Sequence, residues 1–251
     1  MTNPSSLLVD VELPDPAPLS PALVNLLSSL RIVLVGWYAV PEQTSPAQAR
    51  DQFEETARAA LAPIAAAFEE AGATVETHLV FTGDELDTIS RISSEQDCDA
   101  VLIPAQMQRL ERVLVPLRGL HNARRIAPFV ADLVQDGTTA VTLLHILEAD
   151  ETEAASRERV LQPAAEMMTD HGLRAGLLDL KTTAADDPAT AVVEWSADYD
   201  LVVLGETEPS VREILFGSIP EQIVSGAHVP VVVVRHEEAA VAAAERATQA
   251  E

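Results

Sequence analysis

The stretch from Gly205 to Ser218 carries the residue types that a phosphate-binding turn needs. An apolar run at 201–204 leads into Gly205. Gly217 and Ser218 close the stretch, and Ser218-Ile219-Pro220-Glu221 has capping-box spacing with proline inside the first turn of a helix. Ligands of open α/β sheets gather at the carboxyl ends of strands. Backbone N–H groups at a helix start attract an anion. Gly217 would let the backbone approach such a ligand, and Ser218 adds a hydroxyl donor. A plain turn and cap explains the same residues equally well.

Other chemistry-bearing residues point elsewhere. His121-Asn122 follows a strand at the mouth of the expected cleft, where Asn122 reads more readily as a helix cap than as a ligand contact. His145 falls within an apolar strand and reads as a satisfied core histidine. His78, His171, His228 and His236 have no metal-site spacing. No Gly-x-Ser-x-Gly elbow is present. Asp97/Asp99 and Asp198/Asp200 precede strands, at the sheet end away from the cleft, so a turn role fits them better than acid–base work. Trp37-Tyr38 ends a strand and reads as core packing, with a second pocket as the alternative. No residue is a convincing general base beside a phosphate site, so the chain reads as a binder and not an enzyme, with slow ATP hydrolysis as the alternative.

These residues must be positioned by a well-packed scaffold, and the composition provides for one. The chain has 251 residues, 47% of them hydrophobic, enough to bury a core without staples. Forty Asp and Glu face sixteen Lys and Arg, a net charge of −24, and Lys181 is the only lysine. That balance argues against a nucleic-acid backbone or an anionic membrane surface as partner. It suits a salt-rich cytosol, where ions screen carboxylate repulsion. Cys98 is the only cysteine, which excludes an internal disulfide and a cysteine-based zinc site. With no basic leader or long apolar span, the expected location is cytoplasmic.

Short apolar runs alternate with amphipathic helical patterns. This is the signature of a mostly parallel sheet covered by helices, an α/β fold. Strands are expected at 7–13, 31–38, 75–81, 100–103, 112–115, 140–147, 177–180, 201–204 and 229–234. Helices are expected at 20–30, 46–71, 122–135 and 151–171. The two halves repeat: Pro63 and Gly72 recur as Pro163 and Gly172, and Asp97-x-Asp99 recurs as Asp198-x-Asp200. Two copies of one α/β unit follow. The first, 1–108, lacks the last helix and strand. The second, 109–236, is more complete, and 237–251 is an acidic Ala/Glu-rich tail.

The second copy resembles the universal stress protein family. The likeness runs through Arg112-Val-Leu-Val-Pro-Leu-Arg-Gly119, Val141-Thr-Leu-Leu-His-Ile-Leu147, Asp198-Tyr-Asp-Leu-Val-Val-Leu-Gly205 and Gly217-Ser-Ile-Pro-Glu-Gln-Ile-Val224. It closes with Ala227-His-Val-Pro-Val-Val-Val-Val-Arg235. The first copy looks like a degenerate relative without the glycine loop. The resemblance implies two Rossmann-like, adenine nucleotide α-hydrolase-like units in tandem, and ATP or another adenine nucleotide as ligand. The cleft it implies is framed by Pro116, Leu117, Arg118, Gly119, Ile146, Gly205, Gly217, Ser218 and Ile219. Pro116 and Ile146 match base-pocket positions.

Departures from the family pattern bear on that ligand. Nucleotide-binding members carry Gly-x2-Gly-x9-Gly-Ser/Thr. Here Glu208 takes the second glycine's place and the spacing to Gly217 is one residue short. Arg118 stands where those members place a ribose-facing Asp. Glu206 and Glu208 would repel a triphosphate, whereas Arg118 and Arg212 would offset part of that. The alternative is an interaction module whose cleft is closed by Glu206, Glu208 and Arg118 pairing together. Its partner would be a membrane transporter, because transporter-fused members share the Pro-Leu-Arg-Gly and Phe-Gly-Ser-Ile-Pro-Glu motifs. In the family the last strand pairs across a dimer. Here 229–234 could pair with another chain, as a homodimer, or with the truncated first copy.

Overall fold

The computed structural model describes residues 4–41, 43–134, 137–206, 222–223 and 225–235. Expectations for Glu208, Arg212, Gly217, Ser218, Ile219 and the tail at 237–251 lie outside the described residues.

The first half runs β1 (Ser6–Leu13), α1 (Pro21–Leu27), β2 (Arg31–Ala39), α2 (Pro46–Glu70), β3 (Thr74–Thr82), α3 (Glu85–Glu95) and β4 (Ala100–Ile103). The second runs β5 (Arg112–Pro116), α4 (Leu120–Leu133), β6 (Ala140–Leu147), α5 (Glu153–Ser156), a π-helical turn (Arg157–Leu161) and α6 (Gln162–Asp170). It ends with β7 (Leu178–Ala184), α7 (Pro188–Ser196), β8 (Leu201–Gly205) and β9 (Val231–Val234). All nine strands form one sheet, ordered β3-β2-β1-β4-β9-β8-β5-β6-β7. Pairing is parallel throughout except between β4 and β9, which are antiparallel.

The order 3-2-1-4 in the first half matches 7-6-5-8 in the second. Local devices match as well. Gly72 and Gly172 end their helices at φ 102° and 104°. Around them Ala73 N–H donates to Phe68 O and Leu173 N–H to Met168 O, both six-to-one closures that favour glycine in the left-handed region. The Asp99 carboxylate accepts from the Ser6 N–H at 2.7 Å. The Asp200 carboxylate accepts from the N–H groups of Glu111 and Arg112 at 2.8 and 2.9 Å. Each aspartate thus satisfies backbone donors at the start of a central strand, the turn role its position implied.

One continuous core covers one face of the sheet. It joins Leu7, Val9 and Leu34 under α1 and α2 with Val113, Leu143 and Val232 under α4 and α6. The opposite face carries two clusters, around Ile89 and Ile92 of α3 and around Ala189 and Val192 of α7. Burial on both faces explains why the central strands read as continuous apolar runs.

Several boundaries differ from the sequence reading. α4 starts at Leu120 with Gly119 as N-cap, so Asn122 lies inside the first turn and is not the cap. The helix expected at 151–171 is broken by the π-helical turn. The last strand begins at Val231, because Pro230 has no N–H for the ladder; its carbonyl accepts from Val202 instead. That strand is no edge: β8 and β4 flank it within this chain. Of the two partners open to it, the first half is the one it uses.

Candidate ligand site

A cleft of about 770 Å³ opens at the carboxyl ends of β5, β6, β7 and β8. It sits where the strand order reverses, between β5 and β8, the usual ligand position in such sheets. Its apolar floor comes from Leu144, Ile146, Val192, Leu204 and Ile223. Its volume suits a nucleotide-sized molecule. Pro116, Leu117, Arg118, Ile146 and Gly205 all line it. Gly119 adjoins it as the α4 N-cap.

The mouth is polar. Arg118 is exposed there and forms no ion pair among the described residues. Gly119 gives α4 no side-chain cap hydrogen bond, and the positive end of the helix dipole lies beside Arg118 and Asn122. Gly205 packs tightly: a Cβ there would lie 3.2 Å from Ile126 Cδ1 and 3.3 Å from Asn122 Nδ2. Glycine at this position therefore lets the β8 end approach the first turn of α4. Glu148, Glu151 and Asp186 add carboxylates to the rim.

Glu206 departs from the sequence reading, and His145 keeps its expected burial while also reaching the cleft. Glu206 is only 6% exposed and does not line the cleft. Its N–H donates to Val234 O at the β8–β9 seam, and its charge acts on Arg235. No Arg118–Glu206 ion pair closes the cleft, because the strand ladder turns Glu206 towards the seam. His145 is buried, but it also lines the cleft. Its ring lies 2.8 Å from Leu117 O through Nδ1 and 2.8 Å from Glu151 Oε2 through Nε2. Within an apolar strand, a histidine on the loop-supporting face has the same local pattern as one in the core, so no separate signal marks it. Asn122 was hidden by its resemblance to a cap, and Glu151 by its position ahead of an acidic helix start.

The universal stress protein family model matches residues 109–235, which contain every described residue of this cleft. The chain belongs to the universal stress protein family. A universal stress protein from Archaeoglobus fulgidus DSM 4304 superposes on 94% of this chain and 98% of its own, with 17% identity and a TM-score of 0.62. A functionally unknown protein from Pseudomonas aeruginosa PAO1 superposes on 98% of both chains, with 14% identity and a TM-score of 0.58. At these identities the likeness is one of fold, and it extends over both halves. No curated protein matches the chain.

In this universal stress protein the first half has a corresponding cavity of about 510 Å³, lined by Asp10, Glu12, Asp15, Trp37, Glu85 and Ile103 among others. Ser6 and Arg112 are held alike by Asp99 and Asp200. Counting on from them, Asp10 falls where the second half has Pro116, and Glu12 where it has Arg118. The first cavity is therefore acidic where the second carries its cation. Trp37 lines this cavity, whereas Tyr38 packs against Phe53 and Phe81 at centroid distances of 5.1 and 5.4 Å. Among the described residues no helix is long and apolar enough to cross a membrane, and no acidic, histidine or cysteine group could hold a metal ion.

Proposed function

We propose that this chain is a tandem universal-stress-type sensor that binds an adenine nucleotide in its second half and passes occupancy to a partner protein. One observation carries the reading: an apolar-floored cleft whose mouth joins Arg118 to the N-terminal end of α4. That combination suits an amphipathic ligand with a flat apolar part and one anionic end. Family membership supports the same ligand class. The rim carboxylates favour few phosphate charges, so AMP or a cyclic nucleotide fits better than ATP. Binding, and no catalytic step, is the activity we assign. The transporter-fused relatives that share Pro116-Leu117-Arg118-Gly119 make a membrane transporter the partner class to test first. We place its working environment in a salt-rich cytoplasm.

Calorimetry in high salt with AMP, cyclic AMP and ATP tests this reading. A saturable signal near one ligand per chain is expected, weakened roughly ten-fold or more in Arg118→Gln, the usual scale for a lost charged hydrogen bond. Silence with all three nucleotides would overturn it.

A further inference from the structure

We infer that the protonation state of His145 sets the shape of the second-half cleft, and through it the pH range over which ligand binds. The ligand part of this inference rests on the nucleotide reading above. His145 is 4% exposed and bridges two separate wall segments. Nδ1 meets Leu117 O of the β5–α4 turn at 2.8 Å, and Nε2 meets Glu151 Oε2 of the β6–α5 connection at 2.8 Å. A peptide carbonyl only accepts. The Glu151 carboxyl is held below its ordinary range, chiefly by the hydrogen bond from His145, so it too is an acceptor. A neutral imidazole carries one N–H; the imidazolium carries two. Both bonds therefore coexist only when the ring is doubly protonated. Losing one proton sets a nitrogen lone pair against an oxygen and releases one wall.

Each wall matters to the cleft. Leu117 N–H donates to Leu144 O at 2.8 Å, so β6 grips this residue through both its N–H and its C=O and fixes where Arg118 leaves the turn. On the other side Glu151 Oε1 receives Arg159 Nη2 at 3.3 Å, which ties the π-helical turn to the same ring. Among the described residues, the charged groups that line the cleft with the ring are Glu148, Asp150 and Glu151 from the β6–α5 connection, Asp186 from the β7–α7 turn, Arg159 from the π-helical turn and Arg118 from the β5–α4 turn. β7 presents Thr182, which is uncharged, in register with His145. With both walls tied, the cleft is pre-organised for its ligand. With one released, the ligand must order it.

The test uses the full chain with ¹⁵N-labelled histidine, followed by NMR from about pH 5.5 to about pH 8.5. Cyclic AMP affinity is measured in parallel, because its phosphodiester does not titrate in that range. Expected is a ring with two N–H groups on the acidic limb and one on the basic limb. The amide signals of Leu117 to Gly119 and Glu151 to Arg159 should shift with it. Affinity should fall roughly five-fold across the same transition, the worth of one hydrogen bond. His145→Asn, which can still reach Leu117, should bind without that pH dependence and retain the wild-type unfolding midpoint to within a small shift. His145→Gln, reaching towards Glu151, should do likewise. A ring singly protonated throughout, still wall amides, or an unchanged pH profile in both variants would overturn the inference. The NMR needs no ligand. A silent calorimeter beside titrating walls would therefore sink the nucleotide reading and leave the clamp standing.

Discussion

At the scale of single residues, Asp10 is a carboxylate that the fold holds away from water. It lies in β1, inside the first-half cavity, and burial followed by the Glu85 charge pushes its carboxyl from the ordinary 3.8 up to about 6. The folded protein keeps this proton to about pH 6 and the unfolded chain releases it near 3.8. Between those values the native state binds more protons, so stability falls as pH rises through the window, and the full penalty is present above it. Two pH units correspond to about 3 kcal/mol, an upper bound for a group that retains some water. Asp10→Asn should therefore stabilise the chain by on the order of 1–2 kcal/mol at pH 7.5 and by little at pH 4. Urea denaturation at the two pH values checks this, and an equal effect at both would contradict it. Burial acts in the same direction on Cys98: its thiol is pushed up to about 12, so native protein should resist thiol reagents that label it readily once unfolded.

Some residue roles were legible in the sequence because they are local. Gly72 and Gly172 stand where a helix must turn left-handed, and Asp99 and Asp200 where a strand start leaves bare N–H groups. Periodicity and spacing record such needs directly. The role of His145 depends on which loops fold over its strand, and that of Asn122 on a helix that begins at Gly119, two turns of logic beyond the local pattern. Glu206 looked like a cleft residue until the β8–β9 ladder fixed its direction.

At the scale of elements, the decisive piece is β9. Its apolar residues predicted a covered strand, but no local pattern states which strand covers it. The first half ends its sheet at β4 and leaves a free edge, and β9 fills that edge in antiparallel register, Ala100 opposite Val234. Arg235 locks the joint. It is 3% exposed, its N–H donates to Asp99 O at 2.8 Å, its Nη1 to Ser93 O at 2.8 Å and its Nη2 to Ser94 Oγ at 2.9 Å. Every one of those acceptors belongs to the α3–β4 segment of the other half. Arg235→Ala would remove the guanidinium's bonds to Ser93 O and Ser94 Oγ, leaving the backbone bond to Asp99 O in place, and should cost roughly 2–3 kcal/mol. Arg235→Lys should recover part of this, since one ammonium cannot reach the whole set that a forked guanidinium reaches. Chemical denaturation of both variants decides it; equal stability to the wild type would mean that the joint rests on strand pairing alone.

At the scale of the whole molecule, antiparallel pairing of β4 with β9 sets the two halves head to tail, so their cavities open on opposite rims of one sheet. The core face runs unbroken across the joint, which predicts that the halves unfold together in a single transition. The net charge of −24 acts on that transition as a uniform outward pressure. Several of the ion pairs among the described residues, such as Arg58–Glu54 and Arg91–Glu95, join exposed helix neighbours and offset little of it. Salt should relieve the pressure. The Debye length falls from about 10 Å at 0.1 M to about 3 Å at 1 M. The melting temperature should then rise by on the order of 10 °C between those concentrations, the equivalent of a few kcal/mol for a chain of this size. If screening is the cause, potassium and sodium chloride act alike and the gain levels off near 1 M. A melting temperature that keeps climbing, and climbs faster with sulfate than with chloride, would assign the effect to apolar burial instead. A flat profile would remove the charge argument altogether.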